Sequence, residues 1–272
     1  MTTADRWTRT MRERLGLGRL LPLGGARDGA WIAERAAREV LLDAARGVAG
    51  VRPGDLRVGL ADPEDTGEPA VPQPPGALPP GPLRVTADFT AVVGGVAAGA
   101  EPLPAAAGRL RAVLAEAATE RLGLTVTDVD LRATGLRATG TGTGTDTDSG
   151  PEHDRDRDAG REPREAGPRD EEEAARADAA DRDGDEGRVA TAALGVAGVA
   201  RLAGVLGRPV HLTESPAEGA LPRRHVRVEL AVAVAADHRA VEVARRVRSA
   251  VSEALPDRPS VAVVVTAVSW PA

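Results

Sequence analysis

Between residues 83 and 93 the chain alternates, with Leu83, Val85, Ala87, Phe89, Ala91 and Val93 apolar and Arg84, Thr86, Asp88 and Thr90 polar. A period of two puts the apolar set on one face of a strand. Upstream, Ile32, Ala36, Val40, Ala44 and Val48 recur at helical spacing, which predicts a helix starting near Trp31, and residues 56–61 then read as a strand. Downstream, Leu110, Val113, Leu114, Ala117 and Ala118 mark the inward face of a helix over residues 104–122, and residues 126–136 read as a closing strand. The order is helix, strand, strand, helix, strand.

The same order returns later, with a helix over 189–206, strands over 210–214 and 225–235, a helix over 238–255 and a strand over 260–268. Two local matches tie the copies together. GALPPGPLRV at 76–85 aligns on GALPRRHVRV at 219–228, and RLRAVLAEA at 109–117 on RVRSAVSEA at 246–254. A repeat of this kind implies one duplicated supersecondary unit. The two central strands should form an antiparallel hairpin, and the helix between the second and third strands requires a right-handed crossover and parallel pairing. The predicted class is α+β, with each copy a three-stranded mixed sheet carrying two helices on one face. In the second copy Gly195, Gly198, Gly204 and Gly207 weaken the first helix, so close packing against a neighbour is expected there.

These patterns divide the chain into a basic amphipathic segment at 1–29, a first unit at 30–137, a linker at 138–187 and a second unit at 188–272. Over 151–187 there are 15 acidic residues and 7 Arg, a net of −8, so the overall charge of −6 comes from the linker and the rest sums to +2. A segment so polar cannot offset its ordering entropy by burial and is expected to be disordered, a tether that permits contact between the units without imposing it. At the N-terminus six Arg face Asp5 and Glu13, and Trp7, Met11 and Leu15 lie four apart on one helical face. That stripe reads first as docking on the chain's own first unit or a second copy, and second as lying on an anionic membrane surface. Gly16, Gly18, Gly24 and Gly25 end the helix early.

The chain has no Cys, which excludes disulfides, thiolate metal sites and cysteine nucleophiles. With one Phe and three Trp, the core must be built from Ala, Val and Leu. The weakly polar run at 189–207 is interrupted by Arg201, so it does not read as a membrane span. No secretory signal pattern opens the sequence, and the expected location is cytoplasmic, with peripheral contact at the inner membrane face through residues 1–27.

Chemical candidates are few. Asp154, Asp156, Asp158 and Glu165 occupy positions 1, 3, 5 and 12 of a calcium-type loop, but Ala159 stands where the turn needs Gly and Pro163 interrupts the exit helix. His153, His211, His225 and His238 include one short spacing, His211 with Glu214, and in a strand those two point to opposite faces. No phosphate-binding, nucleophile-elbow or zinc-protease motif occurs. Accordingly no catalytic, cofactor-binding or metal-ligating residue is assigned and no cofactor is expected. Arg245, Arg246 and Arg248 form a helix face that reads as solvated, with nucleic-acid binding as the alternative. An enzyme would need a site between the units, such as His225 with Asp237 or Glu242.

REVLLDAARGVAGV at 38–51 and VTDVDLRATGL at 126–136 resemble the alkaline-shock or general-stress envelope protein family of bacteria, whose domain opens with a helix ending in an EV-GV-like signature and closes with an alternating strand. The second copy is similar through RVRSAVSEA and SVAVVVTAVSW, but its first helix is Gly-rich and its closing strand lacks the Gly-Val ending. The resemblance implies a non-enzymatic protein of envelope stress homeostasis that assembles with itself or with an envelope-associated partner, and it carries over no catalytic residue.

Overall fold

Residues 20–33 form a hairpin whose second strand lies beside a strand from the far end of the chain. The computed structural model describes residues 18–94, 102–139, 184–205, 208–215, 223–233 and 238–269. Strand β1 (Leu20–Pro22) pairs antiparallel with β2 (Ala30–Ala33), and β2 pairs parallel with β9 (Ser260–Ser269), Trp31 opposite Val264. All four residues of β2 are buried, so the run AWIA shows no alternation, as expected of a strand covered on both faces. This corrects the predicted start of the first helix. Helix α1 (Glu34–Arg46) begins only after Trp31 and Ile32 have served as strand residues.

From α1 the chain enters a three-stranded sheet, β3 (Val51–Leu60), β4 (Leu83–Gly94) and β5 (Val126–Thr139). β3 and β4 are antiparallel, β4 and β5 parallel. The crossover carries helix α2 (Leu103–Glu116), continued by a π-helical turn, Ala117–Leu122, that ends at Gly123 in a left-handed conformation. The alternation read from residues 83–93 is realised over its described side chains, with Leu83, Val85, Ala87, Phe89 and Ala91 all buried.

Residues 185–269 contribute α3 (Asp185–Leu194), β6 (Val199–Leu202), β7 (Val210–Ser215), β8 (Arg223–Ala233), α4 (Ala240–Ala254) and β9. β7 and β8 are antiparallel and β8 and β9 parallel, the pairing seen in β3, β4 and β5. The helix predicted over 189–206 stops at Leu194 instead. Gly198 turns the chain at φ 96°, and a Cβ there would lie 2.7 Å from Val243 Cγ2, so close packing against a neighbour is present at Gly198, in a turn rather than a helix. After the turn, β6 pairs with β8, which completes a six-stranded sheet ordered β1-β2-β9-β8-β6 with β7 also on β8.

Among the described residues the protein is therefore α+β, with two mixed sheets and four α-helices. One apolar core spans both sheets, from Leu20 and Trp31 through Phe89 and Leu114 to Val247 and Val264. Trp31 and Phe89 are its largest fully buried side chains, and Trp31 donates its indole N–H to Leu78 O at 3.1 Å. Helix α1 touches both β3 and β9. Trp7, Met11, Leu15 and nearly all of the acidic linker lie outside the described residues. Among the described residues no helix is long and apolar enough to cross a membrane.

Candidate functional site

The second half of the chain places its polar residues on one face of β7, β8 and β9. By register Thr213, His225 and Ser260 lie side by side, as do His211, Arg227 and Ala262. Two positions along β8, Glu229 stands opposite Val264, the residue that also faces Trp31. Glu229 is fully buried, and Arg227 Nε lies 3.6 Å from its Oε1. A buried carboxylate is tolerated only beside such a countercharge. Burial lowers the His211 pKa, and the nearby Arg227 lowers it further against an opposing pull from Glu186. His211 thus stays neutral to lower pH than a free imidazole.

The His225 Nδ1 atom hydrogen-bonds the Ser260 hydroxyl across β8 and β9. A serine and histidine in contact suggest a nucleophile and its base, but such a pair works when a third group orients the imidazole. Among the described residues no carboxylate hydrogen-bonds the His225 ring, and Asp185 and Asp257 bind Arg224, the preceding residue of β8, at 2.7 and 3.3 Å. The contact is a cross-strand polar pair at the end of the sheet. Glu242, the other residue considered with His225, lies on α4 within 4.0 Å of Arg239, and Asp237 is outside the described residues. Among the described residues no group of three or more His, Asp or Glu could hold a metal ion, and the calcium-type spacing at 154–165 lies outside them, as does His153.

Two clefts are lined by charge. One, of about 830 Å³, opens between α1 and β3. Its guanidinium groups are matched by carboxylates: Arg38 to Asp55 at 2.7 Å, Arg35 to Glu39 at 2.9 Å, Arg57 to Asp55 at 3.3 Å and Arg19 to Glu34 at 3.4 Å. The hydrogen bond from Arg57, helped by Arg38, holds the Asp55 carboxyl below its usual range. A second cleft, of about 340 Å³, lies along the end of α4 between Arg245, Arg248 and Arg258. Here Ser252 donates to Pro259 O at 3.3 Å and Ser249 to Glu253 at 3.0 Å. The first cleft is a network of internally paired groups, and in the second Arg245 and Arg248 are held by Asp28 and Arg27 O.

The arginines of α4 serve the fold. Arg245 donates to both carboxylate oxygens of Asp28 at 2.7 and 2.9 Å, Arg248 donates to Arg27 O, and Arg246 reaches Glu242 O at 3.4 Å within its own helix. Asp28 also accepts from Gly25 N at 2.7 Å, and Arg245 holds its carboxyl below the ordinary range against the opposing effect of burial. Arg239, the residue before α4, pairs with Glu120 in the π-helical turn. The face read from the sequence as solvated is thus half a seam against the β1–β2 turn. The signal for that seam was present in two apolar runs, LLPL and AWIA, flanking a GGARDG turn.

The remaining surface feature is β5, the terminal strand of its sheet, where Leu136 is 68% exposed. No family model, curated protein or solved structure matches the chain.

Proposed function

We propose that this chain is a non-enzymatic bacterial interaction protein, a scaffold of the cell envelope's stress response that associates with itself or with an envelope-associated partner at the cytoplasmic membrane face. The observation that carries this reading is the open edge of the three-stranded sheet. Among the described residues β5 has β4 on one side only, and Leu136 stands exposed on it. Exposed edges are commonly paired by another chain, so natural proteins either blunt them or use them. The resemblance of residues 38–51 and 126–136 to the alkaline-shock proteins supports the same reading, as does the cleft between α1 and β3, whose charged groups already bind one another. Nucleic-acid binding through α4 has less support, because Arg245 and Arg248 are engaged with Asp28 and Arg27.

The test is a light-scattering mass of the purified chain across a concentration series, joined to flotation with anionic vesicles and affinity recovery from host lysate, each with and without residues 1–17, a truncation that keeps β1. The scaffold reading predicts self-association or a stoichiometric envelope partner, and loss of vesicle binding on truncation. A chain that stays monomeric, ignores vesicles and recovers no partner contradicts it.

A further inference from the structure

We infer that the second copy of this chain pairs on β5, antiparallel and about a two-fold axis through Leu131, so that two three-stranded sheets become one of six strands. This rests on the scaffold reading above and names its interface. Strand β5 carries Asp128, Asp130 and Arg132 on its solvent side, in register with Arg84, Thr86 and Asp88 of β4. An axis through Leu131 sets Asp130 opposite Arg132 of the second copy, and Arg132 opposite Asp130. Moving the axis by one residue places Asp130 against its own copy in one direction and Arg132 against its own copy in the other. Opposite charges directly across two strands stabilise the pairing and like charges oppose it, so the charge pattern itself selects the register.

The backbone agrees with that choice. Arg111 Nε donates to Val129 O at 3.1 Å, so Val129 turns its polar groups away from β4, and by alternation Leu131, between the two bulges of the strand, does the same. Those are the residues that a strand centred on Leu131 must hydrogen-bond. The exposed Arg111 side chain yields its carbonyl to the incoming strand. On the other side of β5, Val129 and Leu131 are half-buried against the core, and the axis sets Leu131 beside Leu131 of the second copy. An apolar strip thereby continues across the junction.

Because the chain has no cysteine, a single engineered one reports the axis directly. Full-length Leu131→Cys should form a disulfide dimer under mild oxidation, since directly paired strand residues lie within reach of such a bond, and Glu39→Cys on the exposed face of α1 should not. Arg132→Asp should weaken self-association about tenfold or more in sedimentation equilibrium, and Asp130→Arg with Arg132→Asp together should restore it. A chain that dimerises with no Leu131→Cys cross-link and no response to Arg132→Asp overturns the β5 interface while leaving a self-associating scaffold. A monomeric chain that still binds vesicles or a partner overturns the interface but not the scaffold reading. A monomer that binds nothing overturns both.

Discussion

Asp28 receives two hydrogen bonds from Arg245, at 2.7 and 2.9 Å, across 217 residues of sequence. Around this pair the β1–β2 turn meets the helix that feeds β9, beside the parallel pairing of β2 with β9. The carboxylate side chain is 16% exposed and the guanidinium 53%, so the contact is half wet and its strength moderate.

Asp28→Asn should therefore cost about 1 kcal/mol at neutral pH. The folded state holds this carboxyl below its ordinary value, so its contribution is complete above the unfolded-state pKa of about 4 and is lost as the pH falls through the lowered folded-state value. Urea unfolding of both proteins from pH 7 to pH 3 should show the difference between them shrinking below about pH 4. A difference that grows with acidity contradicts the assignment.

Gly123 ends the π-helical turn at φ 82°, and a Cβ there would overlap Val241 Cγ1 on α4. Gly123→Ala combines left-handed strain with overpacking and should destabilise by about 2–4 kcal/mol. Val241→Ala alone should cost about 1–2 kcal/mol, and the double variant should be more stable than the sum of the two losses implies. Thermal melts of the four proteins measure that coupling.

Trp31 is buried to 1% exposure, with its indole N–H on Leu78 O. Trp31→Ala should lose about 3–5 kcal/mol, a large share of a domain's stability. Trp31→Phe should lose less, since a phenyl ring keeps part of the buried aromatic volume while giving up the hydrogen bond and the rest of the indole. Equilibrium denaturation followed by far-UV circular dichroism checks both.

Arg245→Glu places a carboxylate against Asp28, whereas Arg246→Glu changes a side chain that reaches only its own helix. The first should destabilise by about 2 kcal/mol or more and the second stay within about 0.5 kcal/mol. Arg246 is consequently the cleaner probe of nucleic-acid binding on α4. Retention on RNA or DNA at low salt that disappears in folded Arg246→Glu would revive that reading.

Much of the local architecture was legible because period-two and helical spacings act within a dozen residues. The alternation of Leu83 to Val93, the stripe containing Leu110 and Leu114, and the duplicated hairpin and crossover reflect short-range patterning. The partner of β2 was not legible. AWIA is buried on both faces, so it has no polar phase to distinguish a strand from the start of the helix that follows, and its neighbour Val264 lies at the far end of the chain. The end of α3 was missed because the apolar positions of residues 189–206 fit a helix. Gly198 decides the matter through Val243, a tertiary contact. The seam escaped for a similar reason, since Arg245, Arg246 and Arg248 look alike in sequence and only the fold presents one of them to Asp28. No catalytic residue was read from the sequence, and the Ser260–His225 pair depends on strand register alone.

The central structural claim is that β2, from the first half of the sequence, is an integral strand of the sheet built by the second half. The most direct test is to introduce a specific protease site near residue 165, cut the folded full-length chain and follow both fragments by size-exclusion chromatography under native conditions. With β2 between β1 and β9 and Val241 against Gly123, the two fragments should elute together at the mass of the uncut chain and separate only in denaturant. Fragments that separate on native elution, each retaining its secondary structure, would contradict the claim.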